Sequence, residues 1–109
     1  MKLVFSQGDI VRFDLNPSIG HEPRGRRPAM VVSSFEFNAS TSMTLVCPIT
    51  TTLNRFPLHL ELPEGLDTIG CVACEQVRAY DLDARGAELV ESAPPDFTAK
   101  VATCVRSFF

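Results

Sequence analysis

Long apolar runs are missing from this chain. Its opening, MKLVFSQGDIVRF, carries one lysine and is interrupted by Ser6, Gln7 and Gly8, so it reads as neither a signal peptide nor a spanning helix. No membrane association and a cytoplasmic location are the expectation. Also missing are internal repeats, low-complexity tracts and any linker long enough to divide the chain. With 45% hydrophobic and 21% charged residues, disordered and fibrous classes drop out. A single domain over residues 1–109 is expected, burying roughly 60–70% of the surface of its unfolded chain. At that size no disulfide staple is required.

Cysteine is present but poorly arranged for chemistry. Cys71 and Cys74 form a lone CxxC, which supplies only half a zinc site. On a strand, residues three apart point to opposite faces, and no helix N-terminus is expected after Cys74 to depress a thiol pKa. These two cysteines, with Cys47 and Cys104, read as small core residues. No metal and no cofactor is expected.

The net charge of −3 argues against a nucleic-acid partner until its distribution is considered. Residues 1–55 carry six basic side chains against four acids, whereas residues 56–109 carry four against nine. Screening sets in beyond about 8–10 Å, so an anion near Arg24, Arg26 and Arg27 feels that cluster more than the distant acids.

The pattern of elements is mainly β. Residues 9–15 alternate as a first strand, and residues 29–32 are apolar on both faces, as a central strand would be. SFEFNAS separates it from the strand MTLVCPIT, in which Pro48 implies an edge or a bulge. Leu58, Leu60 and Leu62 alternate with His59 and Glu61 in a half-exposed strand that leaves His59 on the surface. CVACEQVRAYDL reads as one longer extended segment. Only the C-terminus looks helical: after Pro94 and Pro95, Phe97, Val101, Cys104, Val105 and Phe108 recur at spacings of three and four. The class is α+β, a small antiparallel barrel or curved sheet closed by one helix.

Chemistry-bearing residues gather in few places. In GHEPRGRRP (residues 20–28), Arg27 precedes a proline, which holds its backbone extended at the mouth of a central strand. Its planar fork suits phosphate oxygens. Arg24 and Arg26, on the loop before it, suit weaker backbone contacts, and a merely solvated basic loop is the alternative. His21 and Glu22 are a titratable pair in the same loop, able to move a proton or to sit in solvent. Thr50 and Thr51 lie where a strand ends, and such hydroxyls can donate to a phosphate. Glu75 shares its strand face with Cys71, Ala73, Val77 and Ala79. It is therefore either buried, with its pKa raised, or at a strand end in water. Arg78, on the opposite face, could join it only through a bulge.

Taken in order, GDIVRFDLNPSIGHEPRGRRPAMVVSS, FNASTSMTLVCPIT and GCVACEQVRAYDLDARG resemble the MazF/PemK family of toxin endoribonucleases. The resemblance implies an SH3-like barrel of CcdB/MazF type, a homodimer and a cognate antitoxin protein as partner. It also implies metal-independent, sequence-specific cleavage of single-stranded mRNA, in which the ribose 2′-OH attacks to leave a 2′,3′-cyclic phosphate and a 5′-OH. Arg27 and Thr50 match the family's catalytic arginine and threonine, and Glu75 the place where some members use an aspartate as base. His21, Glu22, Arg24, Arg26, Thr51, Gln76 and Arg78 fall among assisting or RNA-binding positions. Ala73 departs from the PemK branch, which has an arginine there as proposed general acid. That departure leaves a catalytically inactive RNA-binding module as one rival. A CcdB-like gyrase poison is the other, opposed by a tryptophan-free C-terminus ending VRSFF.

Overall fold

Residues 2–15, 26–52 and 56–109 are described by the computed structural model, which builds seven strands and two helices. The strands are β1 (Asp9–Phe13), β2 (Arg27–Val31), β3 (Thr44–Thr50), β4 (His59–Glu61), β5 (Cys71–Ala73), β6 (Arg78–Tyr80) and β7 (Glu88–Ser92). The helices are α1 (Phe35–Ser40) and α2 (Pro95–Arg106). Every strand pair is antiparallel. The order runs β4-β5-β3-β2-β1-β7, with β6 also paired to β3.

This mainly antiparallel sheet with a C-terminal helix agrees with the pattern of the sequence. β1 and β2 feed two separate cores, one on each face. Ile10 and Met30 pack with Val72, Cys74, Phe97 and Val101 beneath α2. Val11, Phe13, Ala29 and Val31 pack with Phe5, Tyr80 and Leu82 on the other side. Of the expected apolar stripe, Phe97 and Val101 are buried on α2, whereas Phe108 lies beyond the end of the helix and is exposed.

Three expectations are corrected. SFEFNAS contains a short helix, α1, rather than plain connection. Ser34 caps it by accepting a hydrogen bond from the Phe37 N–H, and Asn38 is buried, donating to the Phe5 carbonyl at 2.8 Å. CVACEQVRAYDL is not one strand, because a 3-10 turn over Cys74–Gln76 separates β5 from β6. β3, finally, is no edge strand: β2 flanks it on one side, and β6 and then β5 on the other.

Pro48 is tolerated there for a specific reason. The Val32 N–H donates to the Leu45 carbonyl, so every second residue from Leu45 faces β2. Pro48 has the other parity and faces the gap between β6, which ends its pairing at Val46, and β5, which begins at Ile49. Its missing N–H falls where β3 has no strand partner. Among the described residues no helix is long and apolar enough to cross a membrane.

Candidate active site

The end of the β2–β3 ladder opens the site. Pairing stops at Ala29 and Pro48, because by the same parity the next bond toward β3 would need an N–H from Pro28, which has none. β2 and β3 part at this point with Arg27 at the end of one and Thr50 at the end of the other. Gly70 holds the far wall close: it adopts φ +135°, and a Cβ there would lie 2.5 Å from the Thr50 carbonyl oxygen.

Between these elements runs a groove of two adjoining chambers, about 610 and 350 Å³, which share Leu15, Arg27, Pro48 and Gln76. Glu75 and Arg78 line the larger chamber, and Thr50, Thr52, His59 and Ala73 the smaller. Arg27, Thr50, Glu75, Gln76 and Arg78, which come from three strands and a turn, therefore face one space. The 3-10 turn supplies the break that lets Glu75 and Arg78 meet there.

Arg27 is exposed, and its guanidinium has no hydrogen-bond or ion-pair partner among the described residues. The Thr50 hydroxyl accepts from the Thr52 N–H at 3.1 Å, which orients the oxygen and leaves its own O–H as a donor. Leu15 is fixed by its carbonyl accepting from the Tyr80 hydroxyl at 3.3 Å, while the Arg85 guanidinium, 4.8 Å above the Tyr80 ring, donates to the Asp14 carbonyl at 2.8 Å. The Arg78 guanidinium lies 5.7 Å from the same ring.

Glu75 is neither buried nor raised. It sits at the strand end, in the turn. Its partial burial alone would push its pKa up, but hydrogen bonds from His59, from its own backbone N–H and from Gln76 together hold it below the ordinary value. His59 Nε2 lies 2.9 Å from Glu75 Oε2, and Gln76 Nε2 donates to the same oxygen at 3.2 Å.

His59 is the residue that sequence reasoning misplaced. Its side chain is only 7% exposed, not on the surface. The β4–β5 register sets it opposite Ala73, next to the turn that carries Glu75. Strand alternation showed only that it faced away from the leucines, and that pairing requires a register between distant segments.

Other expected site residues fall elsewhere. Arg26 does not line the groove. It donates to the carbonyls of Arg12 (3.2 Å) and Gly86 and lies 3.8 Å from Glu88, clasping β1 to the β6–β7 connection. Thr51 is exposed beside the groove without lining it. His21, Glu22 and Arg24 lie outside the described residues.

All four thiols are free. Burial, with Cys104 and Glu75 nearby, pushes Cys47 up to about 12, and burial with a Cys104 hydrogen bond also raises Cys74. The 3-10 turn that begins at Cys74 does not activate its thiol, and the core reading of these cysteines stands. Among the described residues no three His, Cys, Asp or Glu side chains are placed to hold a metal ion.

Comparison with known proteins points in one direction. The chain is 44% identical over 97 residues to the endoribonuclease toxin ChpB of Escherichia coli K12, spanning 82% of this chain and 80% of that protein. It is 34% identical over 95 residues to the endoribonuclease toxin MazF of the same strain, spanning 87% and 85%. A crystal structure of MazE–MazF from Deinococcus radiodurans superposes with a TM-score of 0.86 at 32% identity, covering 97% of this chain and 96% of that one. Residues 6–109 match the family described as PemK-like, MazF-like toxin of type II toxin-antitoxin system. With the fold, the groove and these relatives in agreement, the chain belongs to the PemK-like, MazF-like toxin family of type II toxin–antitoxin systems.

Proposed function

We propose that this protein is a toxin endoribonuclease that cuts single-stranded mRNA at short sequences, without metal, by attack of the ribose 2′-OH on the adjacent phosphate. The convergence of Arg27, Thr50 and Glu75 on one groove carries this reading, because each supplies what one stage of that reaction needs. As O2′ bonds to phosphorus, its proton passes to a base, and among the described residues Glu75 is the carboxylate that lines the groove. Negative charge grows on the phosphorane oxygens, where the open fork of Arg27 and the Thr50 hydroxyl donate. The P–O5′ bond then breaks as O5′ takes a proton from the Arg27–Thr50 pair, which regains one from solvent while Glu75 gives its own up to water. A 2′,3′-cyclic phosphate and a 5′-OH result. Gln76 and Arg78 extend the wall toward flanking nucleotides, where stacking and edge contacts read sequence.

Structural relatives of this chain include a MazE–MazF complex, which supports a cognate antitoxin as its partner. We take this chain to be a cytoplasmic homodimer of single-domain subunits restrained in the same way. Incubating the purified protein with mixed-sequence RNA in EDTA tests the reading. Fragments bearing cyclic phosphate and 5′-OH ends are expected. Binding without cleavage would instead make it an RNA-binding module.

A further inference from the structure

Proposed roles for Arg27, Thr50 and Glu75 leave one buried polar side chain of the groove without a task. His59 projects from β4 toward the site with its ring almost wholly covered, its Nε2 against Glu75 Oε2 at 2.9 Å. The Phe56 ring meets it edge-on at 5.2 Å and 78°. Its other nitrogen, Nδ1, is buried with no hydrogen-bond partner among the described residues. Across the strand stands Ala73, whose methyl offers no competing donor to the carboxylate.

The bond fixes the proton. Because an ionised carboxylate only accepts, the hydrogen of this bond sits on Nε2. A leucine at this position would fill the same space without a buried, unpaired nitrogen. Stability alone thus gives no reason for an imidazole here. Geometry does, since the pair stands in the groove wall, and Glu75 is the exposed partner while His59 is the covered one. With Nδ1 covered and Nε2 committed to Glu75, the ring offers the groove no free donor or acceptor.

We propose that His59 is a positioning residue of the reaction: its Nε2–H holds the Glu75 carboxylate in one rotamer over the groove, so that the carboxylate meets the ribose 2′-OH at the start of attack. The proposal rests on the nuclease reading. His59 exchanges no proton with substrate; it decides where Glu75 stands and how readily it stays ionised. The titratable and charged groups around Glu75 are His59 from β4, Arg27 from β2 and Arg78 from β6, with the buried thiols of Cys47 from β3 and neighbouring Cys74 close enough to feel its charge. The raised thiols of Cys47 and Cys74 stay neutral. Removing the His59 bond therefore lets Glu75 protonate at higher pH.

The test is a double-mutant cycle on the full chain, reading kcat and KM for RNA cleavage against pH, with melting curves. Glu75→Gln is expected to lower kcat about 10²–10⁴-fold. His59→Ala should lower kcat about 10²-fold, as misplacement of a reacting group does, with KM nearly unchanged. It should also move the acid limb of the kcat profile to higher pH. His59→Gln, which keeps a donor, should recover part of the loss. The double variant should be no slower than Glu75→Gln alone. If His59→Ala does not fold, His59→Leu, which fills the space without a donor, takes its place. Full kcat with an unmoved acid limb in the donor-free variant, or losses that multiply in the double variant, would overturn the assignment. A wild-type protein that cuts no RNA would instead sink the nuclease reading, and this proposal with it.

Discussion

At the groove, Glu75 is held by side chains, His59 and Gln76, and Arg27 by nothing among the described residues. At the β7 edge, Glu91 and Arg26 are held mostly by backbone. Glu91 accepts from the N–H groups of Asp67 (3.0 Å) and Thr68 (2.8 Å) and from the Thr68 hydroxyl (2.6 Å). Arg26 donates to two carbonyls. One region commits its charges to chain geometry, and the other keeps them available to a ligand. Neighbouring residues of one type, Arg26 and Arg27, thus have opposite uses, and charge clustering in the sequence does not separate them.

The sharpest break between the regions is expected at these two arginines. Arg27→Ala should lower cleavage by about 10²–10³-fold, the cost typical of losing one donor to a developing oxyanion. Melting should be almost unchanged, because nothing is hydrogen-bonded to the guanidinium. Ribonuclease assays paired with calorimetry read both quantities. Wild-type cutting in this variant would remove Arg27 from the chemistry.

Arg26→Ala should do the reverse on a smaller scale. Losing charge-assisted bonds to two carbonyls costs about 1–2 kcal/mol, the low end of their usual range, because the side chain is 40% exposed and solvent screens it. Cleavage per folded molecule should stay within a few-fold of wild type. A large loss of activity at full stability would return Arg26 to the RNA-binding surface.

Much of the fold was legible in the sequence, and the remainder has a physical cause. The strand periodicity of residues 9–15 and 29–32 and the stripe on α2 reflect burial, which acts residue by residue. The short helix α1 was written in a Ser34 cap with Glu36 in its first turn, but six residues give too little periodicity to stand out. The 3-10 turn at Cys74–Gln76 had no such local signal, and without it Glu75 and Arg78 fell on opposite faces. His59 was lost for a related reason. Its partner lies sixteen residues away, and only the β4–β5 register, with His59 opposite Ala73, brings the two together. Pro48 did mark a special position, although the interruption proved to lie in the neighbouring strands rather than at a sheet edge.

The smallest effect concerns Glu91, and it depends on pH. Its hydrogen bond from the Thr68 hydroxyl outweighs the slight burial that would raise it, and with the Asp67 and Thr68 N–H groups it holds the carboxyl below its ordinary 4.5. A folded-state value below the unfolded one stabilises the protein above pH 4.5, and that contribution is lost as pH falls through 4.5 toward the folded value. Glu91→Gln should therefore lower the melting temperature by a few degrees at pH 7, consistent with about 0.5–1 kcal/mol for a partly exposed clasp. The gap to wild type should close on acidification, because the protonated carboxyl and the amide are then equally poor acceptors for three converging donors. Cleavage at pH 7 should be unaffected per folded molecule, since Glu91 lies away from the groove. Glu75 is displaced in the same direction, so a Glu75→Gln melting profile also closes toward wild type in acid, but there the loss of cutting at neutral pH far exceeds the loss of stability. That contrast in activity, with a shared sign in the pH dependence of stability, distinguishes a carboxylate that holds the chain from one that serves the groove.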